Sequence, residues 1–221
     1  MSILDGWKAY PAAAATRAAV EPEHVDGLYS RYRWQVMVAI TLAYGVSYTG
    51  RLALGVVKQP MIDAGIFTAA DFGTIGAALF YTYAFGKLFS GALADHLNLR
   101  RFLALGFIGS AVFNLAMVAA SGVTAASIFW GLNGLFQSFG APACVVAMTA
   151  WFSNRERGRM YGVWSTAHSI GEGATYLVIG SVVAAFGWRA GFLTPTLILL
   201  AAAGLALAWV HDRPRNAGLP A

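Results

Sequence analysis

Six apolar blocks, evenly spaced and each about twenty residues long, constrain this chain more than any other feature. They cover about 34–54, 72–92, 102–120, 125–147, 161–185 and 190–210. A helix rises 1.5 Å per residue, so roughly twenty residues cross the ~30 Å hydrocarbon core of a bilayer. Spanning strands would need alternating segments of about ten residues, and these blocks do not alternate. Hydrophobic residues make up 58% of the chain and charged residues 11%. An ordinary soluble domain carries about 25% charge, so this chain has too little to cover a soluble surface. The expected fold is an all-α membrane protein with six transmembrane helices. Residues 1–30 read as a polar lead-in, 31–211 as the transmembrane bundle, and 212–221 as a cytoplasmic segment after it.

The net charge of +5 sits between the blocks rather than on a nucleic-acid-binding face, so no nucleic-acid partner is expected. Arg31 and Arg33 precede the first block. Arg100 and Arg101 follow the second, Arg155, Arg157 and Arg159 follow the fourth, and Arg213 and Arg215 follow the sixth. The opposite side has Lys58 and Arg189, with no charge in the turn at 121–124. Basic residues accumulate on the cytoplasmic side, so both chain ends are expected there. The single Cys144 lies in an apolar block and reads as a small hydrophobe. No metal-ligand spacing, nucleotide loop or nucleophile–base pair is evident, so no cofactor and no enzymatic activity are expected.

Small residues recur inside the blocks: Gly86 and Ser90, Gly106 and Ser110, Gly171, and Gly180. Such spacing lets helices approach closely in lipid. Pro142 and Pro195 are expected to kink their helices.

Ionisable residues at membrane depth are costly and point to function. Arg51, Lys87, His168 and Glu172 stand out. Each belongs to a stripe at helical spacing: Tyr44, Tyr48 and Arg51; Tyr83 and Lys87; Trp164, His168 and Glu172. Arginine captures phosphate or carboxylate through a planar fork, and lysine adds a point charge. The stripes therefore suggest a water-accessible cavity that binds an anion. His168 and Glu172 are candidates for proton coupling. Simpler readings remain open. Arg51 and Lys87 could snorkel to the headgroups, His168 and Glu172 could satisfy each other, and the tyrosines could be packing. Residue counting places Arg51 toward the outer side and Lys87 toward the inner side. Glu172 is the one intramembrane carboxylate able to neutralise either cation.

After the second block the chain reads Gly91-Ala-Leu-Ala-Asp95-His-Leu-Asn-Leu-Arg100-Arg101. A Gly-xxx-Asp followed by a basic pair resembles the loop signature of the major facilitator superfamily. In that pattern Gly91 permits a close helix crossing. Asp95 bridges to helix N-termini or to arginines such as Arg155 or Arg157, which holds one conformational state. The stretches Tyr32-Arg-Trp-Gln35, Tyr83-Ala-Phe-Gly-Lys87, Arg155-Glu-Arg-Gly158, Val163-Trp-Ser-Thr-Ala-His168 and Asp212-Arg-Pro-Arg-Asn-Ala-Gly-Leu-Pro220 are similar to the organophosphate:phosphate antiporter family.

The resemblance implies the N-terminal half of a transporter in the inner membrane, with a complementary six-helix half or a second copy as partner. It also implies that Arg51, Lys87 and His168 bind a small organic anion, with Tyr44, Tyr48, Tyr83 and Trp164 lining the cavity. A sugar-phosphate sensor and an inactive truncated transporter are the alternatives. Two positions depart from the family pattern. Leu52 stands where a second basic residue is usual, and Glu172 stands where a small residue is usual. Glu172 lowers the positive charge of the site and favours proton coupling.

Overall fold

The computed structural model describes residues 22–219, so most of the expected lead-in lies outside the described residues. Helix α1 covers Pro22–Asp63, α2 Ala69–His96, α3 Leu99–Met117, α4 Val123–Gln137, α5 Gly140–Trp151, α6 Asn154–Phe186 and α7 Ala190–Trp209. A short 3-10 turn, Pro214–Ala217, follows. The helix ends are written locally. Gly65 takes φ 67° after α1, a left-handed conformation that costs glycine little. The Thr68 hydroxyl then accepts the Asp71 N–H, while the Asp71 carboxylate accepts the Thr68 N–H. This capping box opens α2, and Ser153 with Glu156 does the same for α6.

Helices α4 and α5 together make the fourth of the six rods. Pro142 has no N–H, so the carbonyl of Ser138 loses its helical donor. The Ser90 hydroxyl on α2 replaces it at 3.1 Å. Ser138 and Phe139 keep right-handed helical backbone angles, so the rod is interrupted rather than ended. Pro195 lies inside α7 without dividing it. Among the described residues, four helices, α1, α3, α6 and α7, are long and apolar enough to cross a membrane on those grounds alone. Helix α2 carries Asp71, Lys87 and Asp95, and the fourth rod is split.

The most extensive packing joins α2 to α4, α1 to both α6 and α7, and α3 to both α7 and α4. Small residues set the closest crossings. A side chain at Gly171 would strike the Gly45 carbonyl, and one at Gly134 would come within 2.5 Å of the Leu79 carbonyl. A side chain at Gly86 would strike Ser138 Oγ, and one at Gly106 would lie 2.9 Å from the Phe136 carbonyl. Gly180 has open space beside it, so the close packing expected there is not present.

Two apolar clusters form the core. One gathers α1 residues up to Tyr48 with Phe102, Leu103 and Trp151. The other takes α1 from Ala53 onward, with Ile75, Trp130 and Phe192. The seam between them on α1 falls at residues 49–52, where the polar groups described below lie. Helix α6 buries a single stripe, from Met160 through Trp164, Ala167 and Gly171 to Val183. Its remaining faces stay open.

After α7 the chain folds back over one end of the bundle. The Trp151 indole donates to the His211 carbonyl at 2.9 Å, and the Tyr32 ring stacks on His211 at 4.1 Å. Asp212 accepts the Leu99 N–H at 2.9 Å and so caps α3. Burial pushes the Asp212 carboxyl above its ordinary range. It also lowers the His211 imidazole, helped by Arg100 and Arg31.

Candidate functional site

The helical repeat places Tyr44, Tyr48 and Arg51 on one face of α1, and that face meets α6 and α2. The Tyr44 ring packs on Trp164 with centroids 4.5 Å apart. The Tyr44 and Tyr48 hydroxyls are 3.1 Å apart, and the Tyr48 hydroxyl hydrogen-bonds to His168 Nδ1. His168 Nε2 lies 3.7 Å from the Glu172 carboxylate. An unbroken polar chain thus runs from Glu172 through His168 and Tyr48 to Tyr44.

The cations complete the cluster. The Arg51 guanidinium carbon is 4.7 Å from the Tyr48 ring centroid and 4.4 Å from that of Tyr83. Lys87 Nζ is 4.8 Å from the same Tyr83 ring. The different depths suggested by residue counting are therefore reconciled, because both charges reach one aromatic ring. Ring quadrupoles attract such cations. All eight residues of the three stripes come together on α1, α2 and α6.

Of the two pairings the sequence leaves open for Glu172, the structure shows the one with His168. Its carboxylate lies nearest His168, and among the described residues neither Arg51 nor Lys87 has a carboxylate within 4.0 Å. Arg51 holds two long hydrogen bonds of 3.4 Å, from Nη1 to the Tyr48 hydroxyl and from Nη2 to Gln137 Oε1. Its Nε is buried without a partner. A cleft of about 630 Å³ is lined by Tyr44, Lys87, Trp164 and His168. A second groove of about 340 Å³ is lined by Arg51 and Tyr176.

The loop motif is arranged differently from its expected form. Gly91 lines the larger cleft, and a side chain there would meet nothing within 4 Å, so it makes no close crossing among the described residues. Asp95, Arg100 and Arg101 are exposed. Arg157 donates to the carbonyls of Phe152 and Thr149 and so caps α5, rather than pairing with Asp95. Arg213 Nη2 meets the Asp95 carbonyl at 2.6 Å, and Asp212 is the acid that caps α3.

The sequence pattern does not single out Gln137, Asn114 and Asn133, all buried behind Arg51. Their signal is three amides inside apolar blocks, two of them at i and i+4. Amides are common interhelical glue in membranes, so they stand out less than charges.

Residues 40–221 match the description of the Major Facilitator Superfamily. The chain belongs to that superfamily. Among its relatives, the membrane sensor protein UhpC of Salmonella typhimurium is 33% identical over 210 residues, which is 94% of this chain and 47% of that protein. The glycerol-3-phosphate transporter of Bacillus subtilis is 33% identical over 206 residues, covering 91% and 46% respectively. The resemblance to the organophosphate:phosphate antiporter family is thus borne out. A bacterial homolog of the human lysosomal transporter Spinster, solved in an inward-facing, unoccupied conformation, shares the facilitator fold. Its TM-score is 0.75 at 19% identity, over 83% of this chain and 44% of that one. The chain spans about half the length of these proteins.

Proposed function

We propose that the chain supplies one half of the binding site of a secondary transporter for a small phosphorylated organic anion, moved by alternating access. The observation that carries this reading is the pair of cations on the Tyr83 ring with, among the described residues, no carboxylate against either. A cation at membrane depth is costly without a counter-ion, and an anionic cargo supplies one. Arg51 offers a planar fork and Lys87 a mobile ammonium, a combination suited to a phosphoryl group. His168 adds a hydrogen bond, and its contact with Glu172 provides a place to take up or release a proton. The similarity to a glycerol-3-phosphate transporter supports this cargo class. The site is completed by a second six-helix half or a second copy, at the interface of the two halves near the membrane midplane as in two-half transporters. The protein sits in the inner membrane with both chain ends cytoplasmic, a placement the arginine distribution supports. No enzymatic step is part of this reading.

The similarity to a membrane sensor favours a second reading, in which the same half-site reports an external sugar phosphate instead of moving it. Reconstitution separates the two. Liposomes loaded with inorganic phosphate should exchange it for external glycerol 3-phosphate when the chain is assembled with its complementary half, and not when it is a verified monomer. Robust exchange by the monomer would overturn the two-half reading. Binding without exchange in the full assembly would favour the sensor.

A further inference from the structure

The polar groups behind Arg51 form one connected set. Gln137 Nε2 donates to the Ser47 carbonyl at 3.2 Å and to the Ser110 hydroxyl at 2.8 Å. That hydroxyl donates to Asn133 Oδ1 at 2.5 Å, so it must accept from Gln137. Asn114 and Asn133 both donate to the Gly50 carbonyl, at 3.2 and 3.0 Å. Asn114 also donates to Asn133 Oδ1 at 3.2 Å. Ser110, Asn114 and Asn133 are fully buried, and Gln137 is nearly so.

Both hydrogens of the Gln137 amide are committed to α1 and α3. Its carbonyl oxygen is thereby turned toward Arg51, which it meets at 3.4 Å. A flipped amide would set its NH₂ group against the guanidinium and leave Ser47 and Ser110 unserved. The amides also anchor the α1 backbone at Ser47 and Gly50, on either side of Tyr48 and directly before Arg51. There is no slack at this point: a side chain at Gly50 would lie 2.6 Å from Leu199 Cδ1 and 3.1 Å from Gln137 Nε2. The set sits at the seam between the two apolar clusters. Gln137 and the Tyr48 hydroxyl each take one N–H from a different terminal nitrogen of Arg51. Each of those nitrogens keeps one N–H uncommitted.

We infer that Gln137 is a positioning residue, oriented by Ser110, Asn114 and Asn133, which presets the Arg51 fork for its ligand. The role of the fork rests on the anion-site reading above, whereas its fixation does not. A site loose by ~1 Å loses function even when every ligand residue is present, and fully satisfied buried networks remove that looseness.

Fixation is tested without any ligand. The arginine-selective reagent phenylglyoxal is applied to the full chain in nanodiscs, and modification of Arg51 is followed by mass spectrometry with Arg33 and Arg189 as internal references. Gln137→Met keeps the volume and removes the amide, and should raise the Arg51 rate about threefold with both references unchanged. Gln137→Glu keeps an acceptor toward Arg51 and should label no faster than the parent. Ser110→Ala, which leaves Gln137 in place but unoriented, should raise the rate about twofold. If Gln137→Met loosens the whole bundle and all three arginines speed up, the Ser110→Ala protein decides. Parental Arg51 rates in Ser110→Ala, or in a well-folded Gln137→Met protein, would overturn the inference. Inorganic phosphate binding is measured in parallel. Faster Arg51 labelling with no phosphate binding in any protein would uphold the positioning role and sink the anion reading instead.

Discussion

Arg33 and Arg51 are the same residue type on the same face of α1, eighteen positions and five helical turns apart, or about 27 Å along the axis. Each stacks on two aromatic rings: Arg33 on Trp34 and Phe152, Arg51 on Tyr48 and Tyr83. Each leaves its Nε without a partner. They differ in the counter-charge. Arg33 meets Glu156 at 2.6 Å, and Glu156 also caps α6, so this pair ties α1 to the start of α6. Arg51 has two neutral oxygens at 3.4 Å and, among the described residues, no carboxylate. The α1–α6 contacts run Arg33 with Glu156, Tyr44 with Trp164, and Tyr48 with His168. Continued one turn, that register brings Glu172 near the level of Arg51, yet its carboxylate meets His168. Aromatic stacking alone therefore does not mark a binding arginine. On the proposed reading, the absence of a carboxylate among the described residues does.

The difference can be broken by mutation, beginning with the largest effect. Arg51→Ala should weaken inorganic phosphate binding by the complete assembly about a hundredfold, near 3 kcal/mol, while Arg33→Ala stays within about twofold. Equal losses in titration calorimetry would erase the distinction. Lys87→Gln should cost about tenfold, since it removes a point charge and no fork. Glu172→Gln should tighten phosphate binding about threefold and flatten the pH dependence of uptake, because the negative charge nearest the two cations is removed. An unchanged pH profile would remove Glu172 from proton coupling. The smallest effect belongs to the structural pair. The hydrogen bond from Arg33, aided by the Ser153 hydroxyl, holds the Glu156 carboxyl below its ordinary range. A depressed carboxyl stabilises the fold above its unfolded value, and that contribution is lost as pH falls through the folded one. Thermal unfolding should thus show Glu156→Gln slightly less stable at neutral pH and equal to the parent in strong acid. Phosphate binding by this protein should be unaltered.

Much of this architecture is legible in the sequence. Twenty-residue apolar blocks allow few folds, and the α1, α2 and α6 stripes follow from the 3.6-residue repeat alone. Pro142 announces a bend, though not that Ser90 serves the freed carbonyl. What stays hidden depends on which helices meet and how they tilt. Residue counting cannot show that Arg51 and Lys87 reach one ring, since tilt decides depth. The partner of Glu172 is equally open in the sequence, with a histidine on its own helix and two cations on others. Gln137, Asn114 and Asn133 gain meaning only when α1, α3 and α4 are packed together. Gly91, read from its motif as a close crossing, lines an open cleft among the described residues.

On the proposed reading, Arg51 has no carboxylate beside it among the described residues, and a phosphoryl group takes that place. Arg51→Lys tests it most directly, since the charge stays and the planar fork goes. Inorganic phosphate affinity of the complete assembly should fall at least about tenfold in Arg51→Lys. The matching Arg33→Lys protein should bind as the parent does. Parental phosphate affinity in Arg51→Lys would contradict the account, and would make Arg51 a charge that merely reaches for the membrane surface.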